Sequence, residues 1–147
     1  MISFIKGNIF DSKCQTLVNP VNCVGAMGAG LAKQFANKFQ DMYNEYVILC
    51  RHDAVIPGKV YLHQNQDPWV LNFPTKNHWH FPSEYQYIID GLECFLENYE
   101  HWKIESIAFP LLGAGLGGLD PATVKGIMVG FLSHCTIPVE IYETNNY

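Results

Sequence analysis

Lys76 stands in the segment Asn72-Phe73-Pro74-Thr75-Lys76-Asn77-His78-Trp79-His80, just past an apolar stretch and beside aromatic rings. A primary amine in that setting has two chemical uses. It can neutralise a phosphate, or, desolvated beside positive dipoles, it can lose its proton and attack an electrophilic carbon. Most lysines are solvated surface cations, so the segment alone does not decide. Its company does more. The stretch Asn19-Pro20-Val21-Asn22-Cys23-Val24-Gly25-Ala26-Met27-Gly28-Ala29-Gly30-Leu31 and the stretch Pro110-Leu111-Leu112-Gly113-Ala114-Gly115-Leu116-Gly117-Gly118-Leu119 are both glycine-rich and both open into helical patterns. Such loops let backbone N–H groups approach a phosphate or sugar closely. Neither continues into Gly-Lys-Ser/Thr, and the first, after Gly28-Ala29-Gly30, lacks the third glycine of a GxGxxG spacing. Tight packing turns are the plainer explanation of one such loop. Two of them point to a diphosphate held between loops.

The other chemistry-bearing side chains are less telling. His78 and His80 flank Trp79, where they could touch a base or deliver a proton, and Trp79 could stack on a nucleobase or pack its own loop. Cys23 reads as loop geometry. Glu93, Glu97 and Glu100 read as a solvated helix face, and His52, His63, His101 and His134 are too scattered for a metal site. No metal or cofactor is expected.

The elements that must position these loops are short. Ile2–Ile5, Thr16–Asn19, Lys59–His63, Trp69–Phe73, Ile104–Phe109 and Val139–Glu143 are rich in β-branched and aromatic residues and read as strands. Leu31, Phe35 and Phe39 recur at helical spacing. So do Tyr85, Ile88, Ile89, Leu92, Phe95, Leu96 and Tyr99, behind a Ser83…Gln86 capping-box pattern. Asp120-Pro121 offers an N-cap and first helical position for Val124, Ile127, Met128 and Phe131. This alternation predicts one three-layer α/β/α domain over residues 1–147, with a mixed, mostly parallel sheet of about six strands. Ligands of such sheets sit at the carboxyl ends of strands, where all three segments fall.

Composition narrows the function classes. Of 147 residues 48% are hydrophobic and 16% charged, and no apolar run is long enough for a membrane span. The amino terminus reads as a strand and not a signal peptide. Five cysteines without CxxC spacing argue against a disulfide framework and suggest a reducing, cytoplasmic setting. A net charge of −5 with a single arginine excludes a broad phosphate-gripping stripe, so any nucleic-acid contact should be local, around one modified nucleotide.

Lys6-Gly7-Asn8-Ile9-Phe10, Val18 to Ala32, Asn72 to Trp79 and Pro110 to Asp120 together resemble the macrodomain family. The likeness is to its DarG branch, antitoxins that remove ADP-ribose from thymidine in DNA, and is related to the protein-directed terminal ADP-ribose glycohydrolases. The resemblance implies that Asn8 and Ile9 hold the adenine, with Tyr142 as an adenine-side aromatic. It puts Asn19, Asn22, Val24, Gly25, Met27, Gly28, Gly30 and Leu31 around the distal ribose and a phosphate. Leu112, Gly113, Ala114, Gly115, Leu116 and Gly117 fall around the diphosphate, Thr75, His78 and Trp79 beside the substrate, and Lys76 on the catalytic lysine. Two departures matter. The family usually has aspartate at Asn8, whose amide oxygen can still accept from the adenine amino group. The protein-directed branch has a catalytic aspartate at Gly117, so its absence favours a DNA-type substrate.

The resemblance therefore implies a monomeric ADP-ribosyl glycohydrolase acting on ADP-ribosylated single-stranded DNA, opposite a DarT-like toxin. Because DarG antitoxins carry a second, toxin-binding domain, a chain ending at Tyr147 is expected to act as a lone domain, to have that part supplied separately, or to be a piece excised from a longer protein. A reader that binds ADP-ribose without turnover shares both glycine loops, so only Lys76 and its surroundings separate it from an enzyme. A hydrolase of protein-linked ADP-ribose is another alternative, and one of free ADP-ribose derivatives suits the acidic charge.

Overall fold

Alternation along the strands decides the layering. The computed structural model describes residues 1–143. Its strands are β1 (Ile2–Ile5), β2 (Thr16–Val21), β3 (Tyr61–His63), β4 (Trp69–Pro74), β5 (Ile107–Pro110) and β6 (Val139–Tyr142). Successive strand residues face opposite sides of a sheet. On one side Val18, Leu71, Phe73, Ile107, Phe109, Val139 and Ile141 meet helices α3 (Tyr85–Asn98) and α4 (Pro121–Leu132). On the other, Leu17, Val21, Val70, Ala108 and Tyr142 meet α1 (Gly30–Lys38), α2 (Gln40–Arg51) and a short 3-10 turn at Ile9–Asp11. Two cores on one sheet make the expected three layers.

The six strands run in the order β1-β6-β5-β2-β4-β3. Every pairing is parallel except β3 with β4. Because β5, β2 and β4 are neighbours and parallel, the segments that follow them leave the sheet at the same edge. That puts both glycine loops and the Lys76 segment side by side.

Several boundaries differ from the sequence reading, each for a visible reason. β2 runs on to Val21 through Pro20, its register with β4 kept as Pro20 opposite Phe73. β5 starts at Ile107 and not Ile104, because Lys103 takes a positive φ and the Ile104 N–H turns back to the Tyr99 carbonyl. β3 starts at Tyr61 after a turn in which Lys59 N–H meets the Ile56 carbonyl. The Ser83…Gln86 capping box does not form. Glu84 occupies the N-cap without a side-chain bond, and Ser83 is buried with its N–H donated to the Gly117 carbonyl. Helix α2 had no counterpart in the sequence reading; it follows α1 directly, with Phe39 closing one helix and opening the next.

Gly91 brings α3 close to the sheet. A Cβ there would overlap the Phe73 ring. Phe73 is fully buried just ahead of Pro74, Thr75 and Lys76, so this contact fixes the root of the lysine segment.

Candidate active site

The three segments enclose a cleft of about 780 Å³, within the usual range for small-molecule sites. Its wall comes from the end of β2 and the first loop (Val21, Asn22, Gly28, Gly30, Leu31), from Thr75, Lys76 and Trp79, and from the second loop (Gly113, Gly115, Leu116, Gly117). Pro20, Ala26, Ala29, Ala32, Pro110 and Leu111 also line it, apolar positions without a chemical signature in the sequence. Among the described residues Lys76 is the one ionisable side chain in this wall.

The first loop is held from below. Asn22 donates through Nδ2 to the Ala26 carbonyl at 2.7 Å, while its Oδ1 accepts from the N–H groups of Val24 and Ala26. The Tyr46 hydroxyl, on α2, reaches the backbone oxygen and Oδ1 of Asn22 at 2.9 and 2.7 Å. Burial pushes the Tyr46 phenol well above its ordinary pKa, so it stays a neutral donor. Gly25 and Gly30 adopt positive φ at the turns into α1. Ala29, the N-cap of α1, provides no side-chain bond, and Gly30, Leu31 and Ala32 of the first turn line the cleft, so among the described residues no side chain caps the N–H groups of this turn against an anion.

The second loop differs at its helix. Asp120 caps α4 by accepting from Thr123 N–H at 3.0 Å, and its carboxyl is held below the usual range by the bonds from Thr123. That helix end is already satisfied. The loop itself turns on Gly113 and Gly118, both at positive φ, with Leu119 N–H donated to the Gly113 carbonyl. At Gly117 a Cβ would overlap the Gly113 carbonyl oxygen and Ser83 Oγ, so the position tolerates no side chain in this conformation.

Lys76 is partly exposed and donates from Nζ to the Leu116 carbonyl at 3.0 Å. Leu116 reaches across the cleft toward Gly30. Cys23 ties the lysine segment to the first loop, its thiol to the Lys76 carbonyl at 3.4 Å and its N–H to the Asn77 carbonyl at 3.2 Å. Desolvation pushes that thiol up to about 12, so it serves geometry and not nucleophilic chemistry.

Other sequence-selected residues lie outside the cleft wall. Asn19 is fully buried in β2, donating to Asn72 Oδ1 at 3.0 Å, with Met27 packed over it. Val24 is exposed, Gly25 turns against Cys50, and Leu112 belongs to the core against which Ala114 packs. His78 begins the turn that carries Trp79. Asn8 caps the 3-10 turn, its Oδ1 accepting from Phe10 N–H at 2.9 Å, and the Ile9 side chain is fully buried. Tyr142 is buried in β6, its hydroxyl 3.2 Å from Glu140. Tyr46 is the residue sequence reasoning missed; Met42, Tyr46 and Cys50 at four-residue spacing were its signal.

The chain matches the Macro domain family over residues 18–128. A DNA ADP-ribosyl glycohydrolase of Thermus aquaticus is 40% identical over 129 residues, covering 85% of this chain and 36% of that protein. The macrodomain of Mycobacterium tuberculosis DarG superposes with a TM-score of 0.93 at 35% identity over 98% of both chains. Thermosipho africanus DarTG in complex with ADP-ribose gives a TM-score of 0.90 at 39% identity, covering 96% of this chain and 41% of that one. The chain spans about two-fifths of the length of the curated relatives it matches, one of them a DNA ADP-ribosyl transferase-DNA ADP-ribosyl glycohydrolase fusion protein. A family match across most of the chain and a shared fold end to end place this protein in the macro domain family, in the branch of the DarG macrodomains.

Proposed function

We propose that this chain is an ADP-ribosyl glycohydrolase that frees ADP-ribose from a modified nucleobase, thymidine in single-stranded DNA, with Lys76 as the catalytic residue. The observation that carries this reading is that, among the described residues, the cleft wall has one amine and no carboxylate, with that amine held between two glycine loops. The diphosphate would lie against the open N-terminus of α1 and the second loop, putting the distal ribose near Lys76. The Lys76 nitrogen attacks the anomeric carbon, and the bond from that carbon to the base nitrogen breaks. The base departs as an anion spread over two carbonyls and, through water, takes the proton that the attacking nitrogen releases, so the step needs no dedicated general acid. Ring opening gives a Schiff base on Lys76, and water then hydrolyses it to ADP-ribose and free amine. A transferase that installs the modification, a DarT-like toxin, is the functional counterpart.

The test is release of ADP-ribose from a thymidine-modified single-stranded oligonucleotide, with borohydride present in a parallel reaction. Wild type should turn over and be trapped covalently. Lys76→Ala should do neither while still binding ADP-ribose. Binding without release by wild type would make the protein a reader, and release without trapping would give Lys76 an electrostatic role.

A further inference from the structure

Past Lys76 the chain makes a tight turn in which Phe81 N–H donates to the His78 carbonyl and His80 N–H to His78 Nδ1. The turn gathers four rings, with centroids 5.3 Å apart for His78 and Trp79, 4.5 Å for Trp79 and His80, and 5.9 Å for His78 and Phe81. Trp79 and Phe81 are 56% and 60% exposed, and neither belongs to either core. Trp79 forms part of the cleft wall and Phe81 does not, so the rings lead outward from the cleft mouth. A contiguous exposed aromatic patch beside a cleft marks a contact surface.

Its charge identifies the partner. Between residues 74 and 84 the one lysine is Lys76, bound to Leu116 across the cleft, and the one carboxylate is Glu84. A ring-rich segment whose one lysine is already engaged suits flat π faces and not a phosphate backbone. A base under chemical attack must leave its stack, which strips its neighbour of a stacking partner. We propose that Phe81, with Trp79, forms a stacking platform for the unmodified nucleobase adjoining the ADP-ribosylated one in single-stranded DNA. This rests on the glycohydrolase reading and adds to it a subsite for the strand itself. Strand recognition by rings is tolerant of sequence and little affected by salt.

The experiment compares kcat/KM for ADP-ribose release from two substrates: ADP-ribosylated thymidine nucleoside, and a single-stranded oligonucleotide with one ADP-ribosylated thymidine at its centre. Wild type should prefer the oligonucleotide. Phe81→Ala should lose about 5- to 150-fold on the oligonucleotide, the range for one base–aromatic stack, with the nucleoside rate unchanged. Phe81→Trp should restore the preference. Between 50 and 200 mM salt the preference should fall by less than about threefold, whereas three phosphate contacts would cost about 20-fold. Equal rates on both substrates by wild type, a preference that collapses with salt, or oligonucleotide kinetics untouched by Phe81→Ala would overturn the platform; the last would make the patch a protein-docking face. If wild type releases nothing from either substrate, the glycohydrolase reading fails separately. The platform is then judged by anisotropy of the labelled modified oligonucleotide: weaker binding by Phe81→Ala upholds it, and unchanged binding overturns it.

Discussion

Replacing Gly117 with alanine should damage the second loop, although the position has no backbone strain of its own. Its φ is not positive, unlike those of Gly113 and Gly118, so the effect isolates steric overlap. The new Cβ would lie 2.8 Å from the Gly113 carbonyl carbon and closer still to its oxygen and to Ser83 Oγ. Contacts under 3.0 Å are essentially never seen for a Cβ. Ser83 is buried, and the Gly113 carbonyl already accepts from Leu119 N–H, so neither neighbour is free to yield. The loop must open, straining the bond from Ser83 N–H to the Gly117 carbonyl and moving the adjacent Leu116 carbonyl that holds Lys76. Overpacking of this kind costs about 1–3 kcal/mol. That corresponds to a urea midpoint lower by roughly 1 M. Urea denaturation and calorimetric titration with ADP-ribose measure both effects. Adding Ser83→Gly should not rescue the variant, because the carbonyl overlap remains. A Gly117→Ala protein with an unchanged midpoint and ADP-ribose affinity would refute this account of the loop, and with it the structural reason no aspartate occupies the position.

Three further outcomes can be measured directly. Tyr46→Phe removes the buried hydroxyl that reaches Asn22, and should cost about 1–2 kcal/mol in urea denaturation and weaken ADP-ribose binding; unchanged values would mean the first loop holds itself. Cys23, with its thiol up at about 12, should react with iodoacetamide at pH 8 about a thousandfold slower than a free thiol. In the unfolded chain that thiol ionises near 9.0, so its share of folding stability is complete below that pH and is lost as pH rises toward about 12, which stability curves across the window would show. Gly126→Ala places a methyl in open space on α4 and should raise Tm by a few degrees through helix propensity of about 0.5–1 kcal/mol; a drop in scanning calorimetry would contradict it.

The segments meant to meet at one sheet edge were legible because glycine, proline and lysine punctuate them, and parallel strands carry them to the same side. Tertiary competition was not legible. Ser83-Glu84-Tyr85-Gln86 looks like a capping box locally, yet Ser83 is taken by the second loop, far along the chain. Helix α2 was hidden because no glycine or proline separates it from α1; the break is Phe39 alone, at φ −129° and ψ 73°. Alternation does place Asn19 on the face of Leu17 and Val21, turned into the α1/α2 core, and that much could be read from β2 without a structure. The placement of Asn8, Ile9 and Tyr142 depends on how β6 and the 3-10 turn pack against distant strands, which no local pattern encodes.

The unequal starts of α1 and α4 have a thermodynamic consequence. Asp120 completes α4 from within the chain, but among the described residues no side chain caps the amide hydrogens opening α1. An anionic ligand there acts as the missing cap, so occupancy and helix order rise together. Linkage then makes apparent stability a function of ligand concentration, by about 2.7 kcal/mol at a hundredfold excess over Kd. Amide exchange at Leu31 and Ala32 should slow with occupancy, while exchange at the start of α4 should follow only the global stability of the fold.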